Sequence, residues 1–128
     1  MNFNHNIAVT VFTPTYNRAE TLPELFNSLM KQNCSNFEWL IVNDGSTDNT
    51  IKIINEFIKE ATFPIRIINT SNGGKHRAIN KGVKIAKGEW FAIVDSDDFL
   101  LPNAIERIIY HIETVNNDQN IAIIFQFS

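Results

Sequence analysis

The sequence has little of several residue types, and each shortage excludes a class of protein. Cys34 is the only cysteine, so the chain can form neither an internal disulfide nor a cysteine-based zinc site. No window approaches the roughly 18 apolar residues of a membrane-spanning helix. No basic segment precedes the first apolar stretch, as it would in a secretory signal. The sequence alone therefore predicts a cytoplasmic protein.

Positive charge is also scarce. The chain has 11 Lys and Arg residues against 14 Asp and Glu residues, which gives a net charge of −3 at pH 7. Proteins that bind nucleic acid or anionic membranes through charge carry a basic excess, so nucleic acid is not an expected partner. A polyanionic ligand would need a cation to bind here. The sequence also has no G-x-G-x-x-G after its first predicted strand and no G-K-[ST], which argues against nicotinamide and P-loop ATP sites.

What the chain does contain is short apolar runs that alternate with amphipathic stretches, without a linker or an internal repeat. The apolar runs are rich in β-branched and aromatic residues, as buried strands are, and they are Ile7–Thr13, Trp39–Asn43, Ile65–Asn69, Trp90–Val94 and Ile121–Phe127. The stretches between them predict four helices. The first begins at Thr21, which has capping-box spacing to Glu24, and the second begins around Ser46–Asp48. The third begins at Lys75 and stops at Gly88, and the fourth begins at Pro102. This alternation predicts one α/β domain, residues 1–128, with a mostly parallel sheet in a three-layer α/β/α arrangement.

The last predicted strand ends the sequence. A parallel sheet is normally covered on both faces, so an apolar strand with nothing after it suggests that later elements are absent and the fold is truncated. An exposed apolar strand recruits partners. The expected consequence is a homo-oligomer.

Clusters of unusual polar residues follow four of the predicted strands. The first three are Pro14–Arg18, Asp44–Asp48 and Asn72–Lys75, and the fourth is Asp95–Asp98. In open α/β sheets, ligands bind outside the carboxyl ends of the strands, so all four clusters are expected to line one crevice. This convergence is the strongest sign of a site that the residues give by themselves.

The fourth cluster places Asp95, Asp97 and Asp98 within four residues. Neighbouring carboxylates repel one another, and a hard divalent cation such as Mg²⁺ or Mn²⁺ relieves this repulsion while leaving coordination positions open for phosphate oxygens. An Asp-rich turn at a helix entry is the alternative interpretation, because helix N-termini favour acidic residues.

The other clusters each allow a functional and a structural interpretation. Asp44 is the spare acceptor at a strand tip, while Ser46–Asp48 would cap the next helix. The ring of Tyr16 offers a surface for base stacking, or it packs half-buried. Lys75 opens a helix after two glycines, where a diphosphate could bind. Arg77 is expected to be a surface residue.

Taken together, five motifs resemble the glycosyltransferase family 2 enzymes, which are inverting, nucleotide-sugar-dependent transferases with the GT-A fold. The motifs occur in the family's order and spacing, and they are VFTPTYNR, IVNDGSTDNT, NGGKHRAINKG, AKGEW and IVDSDDFLLP. The likeness runs from about Ile7 to Ile112. It implies a nucleotide-sugar donor, usually a UDP-sugar, and a divalent metal.

The resemblance also implies roles for individual residues. Pro14 and Tyr16 would contact the nucleotide base, with Arg18 nearby. Asp44 would accept a hydrogen bond from the base, and Lys75 would lie near the base or the diphosphate.

In the acidic motif, the resemblance implies that Asp95 touches the ribose side of the donor. Asp97 would bind the Mg²⁺ or Mn²⁺ ion on the diphosphate, and Asp98 is a neighbouring candidate for the metal.

Family members carry a catalytic base, generally an Asp in the following half, and nothing after Asp98 matches it. The resemblance therefore implies the donor-binding part of an enzyme, inactive by itself, with no catalytic residue of its own. The full-length protein would transfer a sugar to a glycan or lipid-linked acceptor in polysaccharide or cell-surface glycan synthesis, with peripheral association at the inner face of the membrane.

Two other functions compete with this one. A non-catalytic nucleotide-binding module would use the same residues. A signalling receiver domain fits the length and the acidic pocket, but it needs acids after the first strand and a phospho-acceptor after the third. The sequence has Pro-Thr-Tyr-Asn-Arg and Asn-Thr-Ser at those places.

Overall fold

Strands and helices alternate as the sequence predicts. The computed structural model describes residues 7–71, 73–115 and 124–127, and for residues 75, 112–115 and 124–127 it describes the backbone alone. The elements in chain order are β1 (Val9–Thr15), α1 (Leu22–Met30), β2 (Phe37–Asp44), α2 (Thr50–Glu60), β3 (Ile65–Thr70), α3 (Lys75–Ile85), β4 (Trp90–Val94), α4 (Ala104–Val115) and β5 (Ile124–Phe127). Within the described part, no helix has the length and apolar character needed to cross a membrane.

The five strands form one sheet in the order β3-β2-β1-β4-β5, and every pair of neighbours is parallel. Val9 in β1 lies opposite Phe37 on one side and Trp90 on the other. The chain builds outward from β1 through β2 to β3 and then returns to the other side of β1. In open α/β sheets, such a reversal leaves a crevice at the carboxyl ends of the two central strands, here β1 and β4.

Each face of the sheet carries its own apolar core. On one face, α1, α2 and α4 pack over a cluster centred on Trp39, whose ring stacks with Phe26 and Phe57. The indole nitrogen of Trp39 donates a hydrogen bond of 2.9 Å to the Thr13 hydroxyl, so its one polar atom is satisfied in the core. On the other face, α3 covers a smaller cluster that contains Phe12. The predicted α/β class with three layers is therefore confirmed.

Several predicted boundaries are wrong for identifiable reasons. The second helix begins at Thr50 rather than at Ser46–Asp48. Ser46 binds the neighbouring loop, and Asp48 binds both that loop and the Thr50 amide at the start of α2. Thr21 precedes α1 but makes no capping box, since its hydroxyl donates to the Arg18 carbonyl. The fourth helix begins at Ala104 rather than at Pro102, whose carbonyl accepts from the amide of Asn33.

Gly88 does not end the third helix, which stops at Ile85. A Cβ at position 88 would lie 2.4 Å from the Thr10 amide nitrogen and 2.7 Å from the Val9 carbonyl carbon. Glycine is therefore required by the close approach of this segment to the central strand rather than by helix termination.

The structure describes only part of the last predicted strand, Ile121–Phe127. β5 covers Ile124–Phe127 and lies at one edge of the sheet beside β4, while residues 121–123 lie outside the described part. Association through this edge stays a prediction.

A buried carboxylate on β2 connects β1 and β3 to the end of α3. Glu38 is fully buried and accepts hydrogen bonds from the Thr10 hydroxyl at 2.6 Å and from the Lys87 amide at 2.7 Å. It also forms a two-point ion pair with Arg66, at 2.8 and 3.0 Å, and Arg66 in turn donates to the Ile85 carbonyl. Burial works against ionisation, but these donors and the Arg66 charge outweigh it and lower the pKa of Glu38. The network fixes the C-terminal end of α3 to the sheet.

Candidate donor-binding site

A cavity of about 460 Å³ opens at the carboxyl ends of the strands. Its walls come from the loop after β1, the tip of β2, the start of α3 and the turn after β4. The lining residues are Pro14, Thr15, Tyr16, Asn17, Arg18, Asp44, Gly74, Ala78, Asp95, Ser96 and Asp97. The crevice expected from the four polar clusters is thus present, with six of the eight predicted site residues in its walls.

The remaining two predicted residues lie next to the cavity. Asp98 follows Asp97 in the turn after β4, and Lys75 is the first residue of α3, directly after Gly74. The side chain of Lys75 and all of Asn72 lie outside the described part of the chain. The proposed contact of Lys75 with the donor stays a prediction.

The loop after β1 carries the residues that are predicted to contact the base. Tyr16 is 45% exposed and lines the cavity, while the side chains of the segment 46–50 hold the backbone just beyond it. Ser46 therefore serves the loop after β1, whereas Asp48 serves both that loop and the helix that follows, because its Oδ1 also accepts from the Thr50 amide at 3.0 Å. Tyr16 is thus about half-buried, and its exposed part faces the cavity and is available to a ligand.

Asp44 is not the spare acceptor that the sequence predicts. Its Oδ1 accepts from the Thr70 hydroxyl at 2.9 Å and from the Gly73 amide at 2.7 Å, and its Oδ2 accepts from the Gly74 amide at 2.9 Å. Burial opposes ionisation, but these three donors and the charge of Arg77 outweigh it and lower the pKa of Asp44. Asp44 thus holds the glycine turn against β2, and Oδ2, with one donor among the described residues, has capacity for one more hydrogen bond.

Arg77 is more than the surface residue that the sequence predicts. Its side chain is exposed, but its Cδ would lie 3.0 Å from a Cβ placed on Gly73, and its charge acts on Asp44. It also lines a second, polar cavity of about 290 Å³ on the far side of the glycine turn, which shares Asp44 with the first. The sequence did contain a sign of this role, because Arg77 lies two residues after Lys75, in the first turn of a helix that follows two glycines.

The three aspartates after β4 form one cluster. One carboxylate oxygen from each of the three residues lies within 4.8 Å of the other two. The Asp98 amide donates to the Asp95 carbonyl, which closes a turn, but α4 begins only at Ala104. The acids are therefore not in the first turn of a helix, and the helix-entry interpretation is wrong.

The donor set of this cluster fits Mg²⁺ or Mn²⁺. Asp98 Oδ2 is buried and has no hydrogen-bond partner among the described residues. Burial, followed by the charges of Asp97 and Asp95, raises the pKa of Asp98. A buried carboxylate oxygen that lacks a donor and faces two like charges is stabilised by a hard cation, for which carboxylate oxygens are preferred ligands. These aspartates could hold such an ion at the edge of the cavity.

The first helix fixes the segment that follows the acidic cluster. The Ser28 hydroxyl accepts from the Leu100 amide at 3.0 Å. Gln32 donates to the Leu101 carbonyl at 2.7 Å and accepts from the Ile105 amide at 3.1 Å. Neither Ser28, in α1, nor Gln32, two residues after its end, is recognisable as an anchor in the sequence, because an isolated polar residue gives no sign of a partner some 70 positions away.

The family follows from comparison with known proteins. Residues 10–128 match the family model described as glycosyl transferase family 2. The chain belongs to this family. It is similar to the glycosyltransferase GlyG of Streptococcus pneumoniae, with 36% identity over 111 residues that cover 86% of this chain and 36% of that protein.

Solved structures agree with this assignment. Staphylococcus aureus TarS 1–349 in complex with UDP-GlcNAc superposes with a TM-score of 0.75 at 32% identity, covering 84% of this chain and 32% of that one. The mannosyltransferase PcManGT from Pyrobaculum calidifontis, in complex with GDP-Man and Mn²⁺, superposes with a TM-score of 0.76 at 23% identity, covering 89% of this chain and 34% of that one. The second match shows the fold alone. The family 2 resemblance and the GT-A fold class are confirmed, and the chain spans about a third of the length of these proteins.

Proposed function

We propose that this chain binds the nucleotide-sugar donor, a UDP-sugar, of an inverting glycosyltransferase that transfers the sugar to an acceptor hydroxyl. The observation that carries the proposal is one cavity in which Tyr16, Asp44 and two members of the aspartate cluster, Asp95 and Asp97, converge from the ends of β1, β2 and β4. Its volume of about 460 Å³ lies in the range of small-molecule sites. The UDP-GlcNAc complex of TarS, a relative at 32% identity, supports the choice of donor.

On the base side, Tyr16 and Pro14 contact the nucleotide base, and Arg18 lies near it. Asp44 accepts from the base through Oδ2, the oxygen with one donor in the described part of the chain. Lys75 approaches the base or the diphosphate from the start of α3.

On the diphosphate side, Asp95 faces the ribose, and Asp97 and Asp98 hold the Mg²⁺ or Mn²⁺ ion. When bound, such an ion supplies Lewis-acid stabilisation of the departing diphosphate. The carboxylates themselves would repel an unaccompanied diphosphate, so the acidic cluster makes donor binding depend on the cation.

The catalytic base and the acceptor site are proposed to belong to other parts of the full-length enzyme. This chain spans about a third of the length of its relatives, so we expect the 128 residues alone to bind donor without steady turnover. A glycan or lipid-linked acceptor, a role in polysaccharide synthesis, a cytoplasmic location and contact with the inner membrane face stay predictions. A non-catalytic nucleotide-binding module is the alternative.

The proposal is tested by thermal unfolding with a panel of nucleotides and nucleotide sugars, each with Mn²⁺ and with EDTA. A ligand present at 100 times its dissociation constant stabilises the folded state by about 2.7 kcal/mol. We expect UDP and UDP-sugars with Mn²⁺ to raise the unfolding temperature, and adenosine diphosphate to have a smaller effect. No shift with any nucleotide would contradict the proposed function.

A second prediction concerns Asp44. Hydrogen bonds to charged groups contribute about 1.5–3 kcal/mol, so Asp44→Asn should weaken UDP binding by about tenfold or more, since 1.4 kcal/mol is a factor of ten. The dependence on Mn²⁺ should persist, because the acidic cluster is untouched. Titration calorimetry measures both quantities.

The control for Asp44 is Thr70→Val, which removes one hydrogen bond to Oδ1 and keeps the carboxylate. We expect it to change UDP affinity less than about threefold, because the carboxylate keeps its bonds to the Gly73 and Gly74 amides and Oδ2 is untouched. Equal losses in the two variants would show that Asp44 only supports the glycine turn.

A further inference from the structure

The loop after β1 and the turn after β2 are tied together by Asn17. Its side-chain Oδ1 accepts from the Thr47 amide at 2.7 Å and from the Asp48 amide at 3.3 Å. Its own backbone amide donates to the Ser46 hydroxyl at 2.9 Å. One residue thus satisfies two amides of the facing turn and is held by a third group of the same turn.

The residues after Asn17 continue the connection. The Arg18 amide donates to the Thr50 hydroxyl at 3.2 Å, and the Ala19 amide donates to Asp48 Oδ2 at 3.3 Å. Three consecutive amides of one loop are therefore satisfied by side chains from the other. We call this set of contacts between residues 17–19 and 46–50 the two-loop clasp.

The backbone of Asn17 has a conformation that few residues adopt. Its φ is +52°, and it is the one non-glycine residue of the described chain with a positive φ. Asn and Asp tolerate this left-handed region better than other side chains do. Glycine would tolerate the angle but would offer no oxygen to Thr47 and Asp48. The position therefore requires both the backbone tolerance and the side-chain acceptor that Asn provides.

Tyr16 immediately precedes this fixed point and lines the cavity with nearly half of its surface exposed. An exposed ring on an unsupported loop would lose conformational freedom when a base stacks on it, and this loss would weaken binding. The clasp removes that freedom before the ligand arrives. Since Asn17 makes no contact with the acidic cluster in the hydrogen bonds described, its influence should be confined to the base side.

We infer that Asn17 is a positioning residue, which holds Tyr16 in place for stacking on the nucleotide base. The inference rests on the proposed function and adds to the site a residue that acts on the ligand through Tyr16. Asn17→Gly keeps the backbone angle and removes the acceptor, so we expect it to weaken UDP binding in Mn²⁺ by about tenfold. Asn17→Asp keeps the acceptor oxygen and should bind UDP within about threefold of the unchanged chain, which constitutes rescue.

Two further measurements separate positioning from general structural support. Inorganic pyrophosphate with Mn²⁺ has no base, so its affinity should be the same in Asn17→Gly as in the unchanged chain. In a Tyr16→Ala background, Asn17→Gly should cause no additional loss of UDP affinity, because a residue that acts through Tyr16 is not additive with it. Ile54→Val, a core change in α2, is the control for lowered stability and should leave UDP affinity unchanged.

The clasp itself is tested without ligand by hydrogen exchange. The amides of Thr47 and Asp48 should exchange faster in Asn17→Gly than in the unchanged chain. Loss of this protection together with unchanged UDP affinity would overturn the inference, as would equal losses of UDP and pyrophosphate affinity or full additivity with Tyr16→Ala. An unchanged chain that binds no UDP would instead contradict the proposed function, and with it the role of the clasp in nucleotide binding.

Discussion

The Asp97→Ala chain is expected to bind UDP equally weakly in Mn²⁺ and in EDTA, whereas the unchanged chain should bind UDP about 100-fold more tightly in Mn²⁺. That factor corresponds to about 2.8 kcal/mol. Opposite unit charges 4 Å apart attract by about 4 kcal/mol at an effective dielectric constant of 20, so one carboxylate–metal contact is sufficient to produce it. Asp97 is the exposed member of the cluster and lines the cavity, which makes it the carboxylate best placed to share an ion with a diphosphate.

Titration calorimetry with UDP in Mn²⁺ and in EDTA measures this effect directly. Glu60→Gln is the matched control, because it removes one negative charge from the exposed C-terminal end of α2, the end away from the cavity. It should retain the full dependence on Mn²⁺. If the unchanged chain bound UDP with equal affinity in both solutions, the three aspartates would not form a metal site.

The sequence predicted the fold where the pattern is local. The strand Trp90–Val94 is correct to the residue, because a short β-branched and aromatic run between turn residues has one interpretation. Parallel pairing then places every strand's carboxyl end at one edge, so the predicted crevice follows from topology alone. Element ends that depend on a partner distant in sequence, such as Gly88 against Thr10, could not be read in this way.

The errors in the site have the same origin. Ser46 and Asp48 are good capping residues, and only the position of the loop after β1 decides that Ser46 binds the loop alone and that Asp48 binds the loop as well as the Thr50 amide. Asp44 stands at a strand tip with no visible partner in the sequence, but the glycine turn that it holds is 29 and 30 residues away. Asn17 was visible within its motif, yet its role depends on a positive φ that no sequence pattern states.

Glu38 was missed entirely, and its replacement should have the largest effect on stability. Glu38→Ala is expected to lower the free energy of unfolding by about 3 kcal/mol, at the lower end of the range for breaking a buried ion pair, because Arg66 keeps 30% of its side chain in solvent. The loss arises because the Thr10 hydroxyl and the Lys87 amide would also lose their acceptor. Urea unfolding measures the change.

The control for this experiment is Glu56→Ala, which removes an exposed glutamate from α2 and should change the free energy of unfolding by less than about 0.5 kcal/mol. A loss in Glu38→Ala no larger than that of the control would show that the Glu38 network contributes nothing to stability. Because Glu38→Ala also leaves a cavity, Glu38→Gln provides the conservative comparison.

The stabilising effect of Glu38 should depend on pH with a definite sign. Its folded pKa lies below the ordinary value of 4.5, so at mildly acidic pH the unfolded chain binds a proton more readily than the folded chain does. The contribution of the ionised carboxylate is therefore fully present above about pH 5 and is lost as the pH falls through the folded pKa.

Glu38→Gln cannot ionise, so the difference in unfolding free energy between it and the unchanged chain should be largest near pH 7 and should shrink below pH 4.5. Other acids with lowered pKa values, such as Asp44, titrate in both chains and cancel in this difference. A difference that stayed constant from pH 7 to pH 3 would show that Glu38 stabilises the fold by its shape alone and not by its charge.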